Sequence, residues 1–381
     1  MKKITNPSFL FFLFCCLSFI GFLQFGCKEA GPKWAGSIHS ENGVTVVKNP
    51  VEPYYSSEVL TMEEELSIGS MEGPPEYMFQ QLRTLVVNDQ EEIFALDIKA
   101  SHVKVFDQKG EYLRTIGKPG QGPGELQLPI TICLNSRGEI IVGQISKISL
   151  FTPEGEFIKS IPQTFQGFVE DIDPGDNYFV TILDFEQQVY KVQKFDQELK
   201  PLHIFGESPL PSVEIRRTGK RRVYFPVIRF DVLSTGQVVC GYADEGYILK
   251  IYDDSGKLIK RIEKEYLPVP VTQEDKDIAR EEYPERLRDS LFFPDEFPPF
   301  IRFKVDDEDL IYVSTYERPP DGDGYYHDVF DQEGKFITRI VLKARPLVIK
   351  KNKLYTIEEN EDGYQFIKRY RMIWNLPRGK N

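Results

Sequence analysis

The chain reads as an all-β protein, a six-bladed β-propeller of four-stranded antiparallel blades. Three observations predict this. Aromatic residues make up 13% of the sequence, with 28 Phe and 19 Tyr against 2 Trp, a composition suited to pleated strands. One phrase recurs down the chain: an apolar pair ending in an aromatic, an Asp, a turn ending in Gly, then an alternating strand. Each copy follows a pair of short apolar strands joined by a tight turn.

The recurrent phrase is clearest at Val105-Phe106-Asp107-Gln108-Lys109-Gly110 and again at Val329-Phe330-Asp331-Gln332-Glu333-Gly334. Further copies centre on Phe151, Phe195, Tyr252 and Tyr370, the third degenerate and the last truncated. The copies lie roughly 40–80 residues apart, as expected when one blade is the repeating unit. The preceding hairpins include Ile132-Cys133-Leu134 to Ile140-Ile141-Val142 across Asn135-Ser136-Arg137-Gly138. Two hairpin strands plus two from the recurrent phrase make four strands, which is one blade. The last repeat lacks an outer strand. Either Gly43 to Lys48 or Leu60 to Ile68 is expected to complete it and close the ring, since an open blade would leave a bare edge.

These residues resemble NHL repeats, most recognisably in the run Ile116-Gly117-Lys118-Pro119-Gly120-Gln121-Gly122-Pro123-Gly124-Glu125-Leu126. The opening Trp34-Ala35-Gly36 with Asn42 to Pro50 is similar to bacterial six-bladed β-propeller lipoproteins of uncharacterised function. The resemblance implies a fold and no particular activity. The Gly117 to Gly124 run lacks the terminal Lys-Ser/Thr and the helix of a phosphate loop, and its prolines remove donors, so it reads as an inter-blade loop.

The N-terminus reads as an address. Lys2 and Lys3 precede an apolar run over residues 8–26 that stops at Gly26-Cys27-Lys28, a positive segment followed by an apolar one. This resembles the lipidation site of bacterial lipoproteins, with Cys27 the lipidated residue, although Gln24 stands where Leu is usual. An uncleaved anchor is the alternative. Either way the expected location is the cell envelope, membrane-anchored, periplasmic or surface-exposed. The expected organisation is 1–27 signal segment, 28–42 linker and 43–381 propeller. Of 5 cysteines, Cys133 and Cys240 alone fall in the propeller, and both read as buried small hydrophobes.

Insertions break the even spacing at about 209–226, 263–299 and 317–327. In an NHL-type topology all three decorate the face carrying the inter-blade links, so that face is the functional candidate. The first holds Arg216, Arg217, Lys220, Arg221 and Arg222, a reversal of sign in a chain of net charge -12. The loop suits a carboxylate, phosphate or sulfate ligand, against the plain alternative of a solvated loop paired with nearby acids. The second, between blades four and five, carries Thr272-Gln273-Glu274-Asp275, a helix start, and is either a cap over the channel mouth or a surface excursion pinning two blades. His102 and His327 fall near loops of the same face, where a structural role competes with ligand contact.

The acidic balance argues against nucleic acid as a partner. No Ser/His/Asp order, HExxH or Cys/His ligand spacing occurs. The expected function is therefore a non-catalytic binding or scaffolding propeller without a cofactor, taking a protein or small anionic ligand on one face and held to the membrane through its N-terminus. The rival is a metal-dependent lactonase or lyase using Ca²⁺ or Zn²⁺, because some propellers resembling this one are such enzymes. Asp97, Glu170, Asp171 and Asp231 are its candidate metal ligands, each with an ordinary turn or surface acid as the alternative.

Overall fold

The computed structural model describes residues 34–55 and 59–375. Cys27 and the expected signal segment, residues 1–27, lie outside the described residues. Six blades follow one another in sequence. Blade one is Leu82–Val87, Ile93–Asp97, His102–Phe106 and Tyr112–Ile116, and blade two is Pro129–Leu134, Ile140–Gln144, Lys147–Phe151 and Phe157–Pro162. Blade three runs Gly167–Ile172, Tyr178–Asp184, Val189–Phe195 and Pro201–Pro209, and blade four Arg229–Val232, Val238–Gly241, Ile248–Tyr252 and Leu258–Lys264. Blade five is Arg302–Val305, Ile311–Ser314, Tyr325–Phe330 and Phe336–Leu342. Blade six takes Val348–Lys350, Lys353–Glu359 and Gln365–Trp374 from the end of the chain and Leu60–Ile68 from near its start.

The recurrent Asp builds the hairpin. The Asp107 side chain accepts the Lys109 and Glu111 N–H groups, both at 2.8 Å, while Gly110 donates back to the Asp107 carbonyl at 2.9 Å. Asp253 and Asp331 do the same in blades four and five. This is the local turn that short polar side chains favour. In the degenerate third copy Leu199 adopts φ 60° where the other copies have Gly. The preceding aromatics Phe106, Phe151, Phe195 and Phe330 are buried.

Each pair of adjacent blades shares its own apolar core. Phe94, Leu96 and Val105 of blade one meet Ile132 and Val142 of blade two. Blade six meets blade one through Tyr355 and Ile367 against Leu85 and Ile93. The first strands touch in a closed circuit, blade six returning to blade one, so these strands line a central channel. With every blade antiparallel, the links between blades and the loops joining second and third strands share one face.

Three features differ from the sequence expectation. Val44–Asn49 does not complete blade six; it pairs in parallel with Leu258–Lys264 on the outer edge of blade four. Ser37–Glu41, expected in the linker, forms a hairpin with it and extends that sheet. The first insertion also contains a helix, Pro211–Thr218. The reason for the first difference is that parallel pairing leaves no hairpin signal in the sequence. The helix expected in the second insertion is present as Gln273–Glu282. Thr272 caps it, accepting the Asp275 N–H at 3.1 Å while Asp275 accepts the Thr272 N–H at 2.9 Å.

Residues 44–55 and 59–68 form a belt across three outer rims. From blade four it passes blade five, where Tyr54 and Tyr55 donate to the carbonyls of Phe336 and Ile337 at 3.0 and 2.9 Å. It then completes blade six. Gly334, at φ 91°, lies under this belt. A Cβ there would stand 2.8 Å from the Ile262 side chain and 3.4 Å from that of Val47, so the turn requires glycine on two counts.

Candidate functional site at the channel mouth

The inner strands begin at the face of the inter-blade links, and four of the six bring an arginine there. Arg83 is the second residue of its strand, Arg229 and Arg302 are the first of theirs, and Arg345 stands just before Val348–Lys350. They come from blades one, four, five and six, which are successive around the ring. Arg83, Arg229 and Arg345 are exposed and Arg302 is half-buried. Among the described residues none of the four has a carboxylate within ion-pair distance. Arg83 donates from Nε to the Ile130 carbonyl at 3.1 Å. The protein walls of the channel, then Arg345 and Arg229, push the Arg302 pKa down to about 10. The walls and then Arg229 and Arg83 lower that of Arg345. Like charges crowded without an internal counter-charge are costly.

Side chains two apart on a strand share a face, so Asp231 and Lys304 follow Arg229 and Arg302 one step deeper. Asp231 is buried. Its carboxylate accepts Lys304 Nζ at 3.0 Å and the Val305 N–H at 2.7 Å, joining blades four and five. Asp171 of blade three stands beside Asp231. Burial, and then the adjacent Asp231 charge, push the Asp171 pKa up to about 7 against the pull of Lys304. Burial works against the Lys304 charge, yet Asp231 and Asp171 outweigh it and hold its pKa high. A bulge at Glu170, between Val169 and Asp171, breaks the strand register there and re-aims the side chains. Glu170, Asp171, Asp231, Arg302, Lys304 and Arg345 all line one cavity of about 160 Å³.

Of the expected metal ligands, Glu170, Asp171 and Asp231 thus meet in one cavity, with Lys304 bonded to Asp231. Asp97 does not join them. It is buried in blade one, holding the Gln80, Gln81 and Ala100 N–H groups at 2.6, 3.1 and 3.0 Å. Among the described residues no group of three or more His, Cys, Asp or Glu is gathered to hold a metal ion. His327 is buried behind the crescent. Its Nε2 meets Ser314 Oγ at 2.7 Å and its Nδ1 meets the Tyr325 carbonyl at 3.0 Å. Arg302, Ser314 and His327 are successive cross-strand partners. Burial lowers the His327 pKa to about 4, so the ring is a neutral support. His102 lines a different depression, with Asp97 and Lys104. Its Nε2 is buried without a partner, and burial lowers its pKa.

The basic loop is largely engaged with its surroundings. Arg216 donates to the Gln188 side chain. Arg222 pairs with Asp244 at 3.0 Å. Arg221 and Arg222 form a two-residue parallel bridge with Leu291 and Phe292, so the first and second insertions are one unit, sealed by Val223, Ala279 and Leu291. Arg217 and Lys220 are exposed. Tyr316, in the third insertion's approach, stacks on Phe297 at 4.4 Å between ring centres and feels the charges of Arg302 and Arg229. The insertions thereby reach the edge of the arginine crescent.

A larger cleft of about 880 Å³ lies between the belt and the second insertion, lined by Tyr247, Lys264, Phe297, Tyr316 and Arg339. Its charged floor is satisfied internally. Asp328, fully buried, accepts Tyr247 Oη at 2.7 Å and Arg339 Nε at 2.8 Å, and Lys264 Nζ lies 3.4 Å away. Arg339 also pairs with Glu317 at 2.8 Å. The crescent differs in having its charges unpaired among the described residues.

Fold and site define a six-bladed β-propeller with a basic channel mouth. A family model described as "6-bladed beta-propeller" matches residues 70–166. A stretch of 143 residues, 36% of this chain, is 40% identical to Protein brain tumor of Drosophila melanogaster and spans 13% of that protein's length. A solved Bacteroides fragilis protein, described as a candidate exported protein, is similar over 86% of this chain and 99% of its own, at 10% identity and a TM-score of 0.56. A gluconolactonase of Xanthomonas campestris is similar over 77% of this chain and 86% of its own, at 10% identity and a TM-score of 0.45. At 10% identity the likeness to the Bacteroides fragilis protein speaks to the fold alone.

Proposed function

We propose that this chain is a binding propeller that captures an anionic ligand at the channel mouth, on the face of the inter-blade loops. The observation that carries this reading is the crescent of Arg83, Arg229, Arg302 and Arg345, four guanidinium groups without an acidic partner among the described residues. Each charge-assisted contact to an anion contributes about 1.5–3 kcal/mol when water is excluded. Two quadruple variants test the place of capture, with the tricarboxylate tricarballylate as probe and calorimetry as readout. Replacing Arg83, Arg229, Arg302 and Arg345 by Gln is expected to abolish binding. Replacing Arg216, Arg217, Arg221 and Arg222 by Gln is expected to leave most of it. The reverse result would move the site to the basic loop, and binding unchanged in both would end the anion reading.

The address supports a place at the cell envelope, with Cys27 lipidated. Cys27→Ala is expected to abolish lipid labelling, and labelling that persists would show that another residue carries the lipid. A second reading, an enzyme of lactonase or lyase type, is favoured by Asp171 beside Asp231, an acid poised to exchange a proton near neutral pH. Lactone turnover, with stoichiometric Ca²⁺ or Zn²⁺ retained through purification, would replace the binding reading with that one.

A further inference from the structure

We infer that the channel mouth is built for an organic ligand presenting two or more anionic groups held apart, rather than for a single anion. This rests on the anion-binding reading above and narrows it. A carboxylate or phosphate group engages one or two guanidinium forks, and each fork offers five donors in a fixed plane. Here the forks belong to four successive blades, so they are set around an arc and do not converge from one strand. One bound carboxylate would leave the others as crowded as before.

The acids nearby do not remove that excess. Asp231 is committed to Lys304 and to the Val305 N–H, and Asp171 stands beside Asp231 in the same cavity. Glu170 alone bears on the crescent, through Arg345. The protein walls of the channel, and then the neighbouring arginines of the arc, depress the pKa values of Arg302 and Arg345. In blades two and three the residues in register with Arg229 and Arg302 are Thr131 and Phe168, neither of them charged. The arginines are therefore confined to one side of the mouth. That asymmetry fits a ligand whose acidic groups lie on one edge of a carbon framework, and it does not favour an inorganic ion charged all round.

The test is calorimetry on the full chain in detergent, at constant ionic strength and pH 7.5, with acetate, glutarate, tricarballylate and trigalacturonate. Affinity is expected to rise at least tenfold from acetate to the dicarboxylate, and again to the better of the two tricarboxylates. Arg83→Gln and Arg302→Gln, at two places on the arc, are each expected to remove most of the gain from added carboxylates. Lys200→Gln, on an exposed turn, serves as the control, and circular dichroism confirms that each variant is folded. A lead of trigalacturonate over tricarballylate would point to an acidic oligosaccharide, and the opposite order to a small polycarboxylate. Equal affinities for acetate and all larger probes would overturn this inference while leaving anion binding in place. Absence of binding by any of the four probes would overturn both.

Discussion

Asn49 Oδ1 accepts the Phe336 N–H at 2.7 Å across 287 residues of sequence. The same buried amide donates from Nδ2 to the carbonyls of Gly334 at 2.9 Å and Glu263 at 3.2 Å. One side chain thus joins the belt to the outer edges of blades four and five. Asn49→Ala is expected to strand the Phe336 N–H and the Gly334 carbonyl away from water, and to destabilise the protein by about 2–4 kcal/mol. Urea unfolding measures this. A loss below about 0.5 kcal/mol would mean that water replaces the amide. Tricarballylate affinity of the folded variant should not change.

Closure is tested by two truncations. Removing residues up to 50 strips blade four of its extra pair of strands but leaves its own four intact. Removing residues up to 70 also takes Leu60–Ile68 and bares the edge of Gln365–Trp374. The shorter deletion is expected to lower stability and keep one cooperative transition. The longer one is expected to broaden the transition and expose apolar surface to a fluorescent dye. Equal behaviour of the two would show that the sixth blade does not need its N-terminal strand.

Asp171→Asn should change how stability depends on pH. Burial raises the pKa of Asp171 in the folded state, so the folded protein binds the extra proton between the ordinary carboxylate range and about pH 7. In that window the native state holds more protons than the unfolded chain, and stability falls as pH rises. The contribution is full below about pH 4 and lost above about pH 7, amounting to about 2–4 kcal/mol. Asn cannot titrate, so the variant's pH 4-to-7 slope should be shallower by that amount. Parallel wild-type and variant profiles in urea melts would assign the proton elsewhere.

The floor of the large cleft makes a different expectation. Asp328 neutralises Lys264 and Arg339 in a place shut off from water, and removing one member of a buried pair costs about 3–5 kcal/mol. Asp328→Ala should therefore be among the most destabilising single changes in the propeller. If thermal unfolding shifts by less than 2 °C, the cleft floor is wetter than its burial indicates.

The fold was legible because its grammar is local. Asp107, Asp253 and Asp331 each announce their own turn within five residues, and a strand follows. The belt was less legible, because a parallel pairing of Val44–Asn49 with Leu258–Lys264 leaves nothing in either segment to mark the other. The basic loop from Arg216 to Arg222 was conspicuous for its density, and the structure engages much of it in tying two insertions together. The crescent was missed for the opposite reason. Each of its arginines stands singly at or just before the head of a short strand, where it reads as a solvent-facing residue. The one available signal was the recurrence of Ile228-Arg229-Phe230 as Ile301-Arg302-Phe303, in register with the blades.

The belt also sets a timetable. Glu64 meets Lys368, 304 residues further along the chain, and contacts of such separation form late and slowly. As the chain emerges N-terminus first, Leu60–Ile68 has no partner until nearly all the rest has been made. Blades one to five can stack in turn while the first strand waits. The finished ring, and with it a complete crescent, arises in a final step that a chain lacking Leu60–Ile68 or Gln365–Trp374 cannot take. A nascent or C-terminally clipped molecule would carry every residue of the basic loop and three of the four channel arginines, and still lack the enclosure that sets them around a common centre.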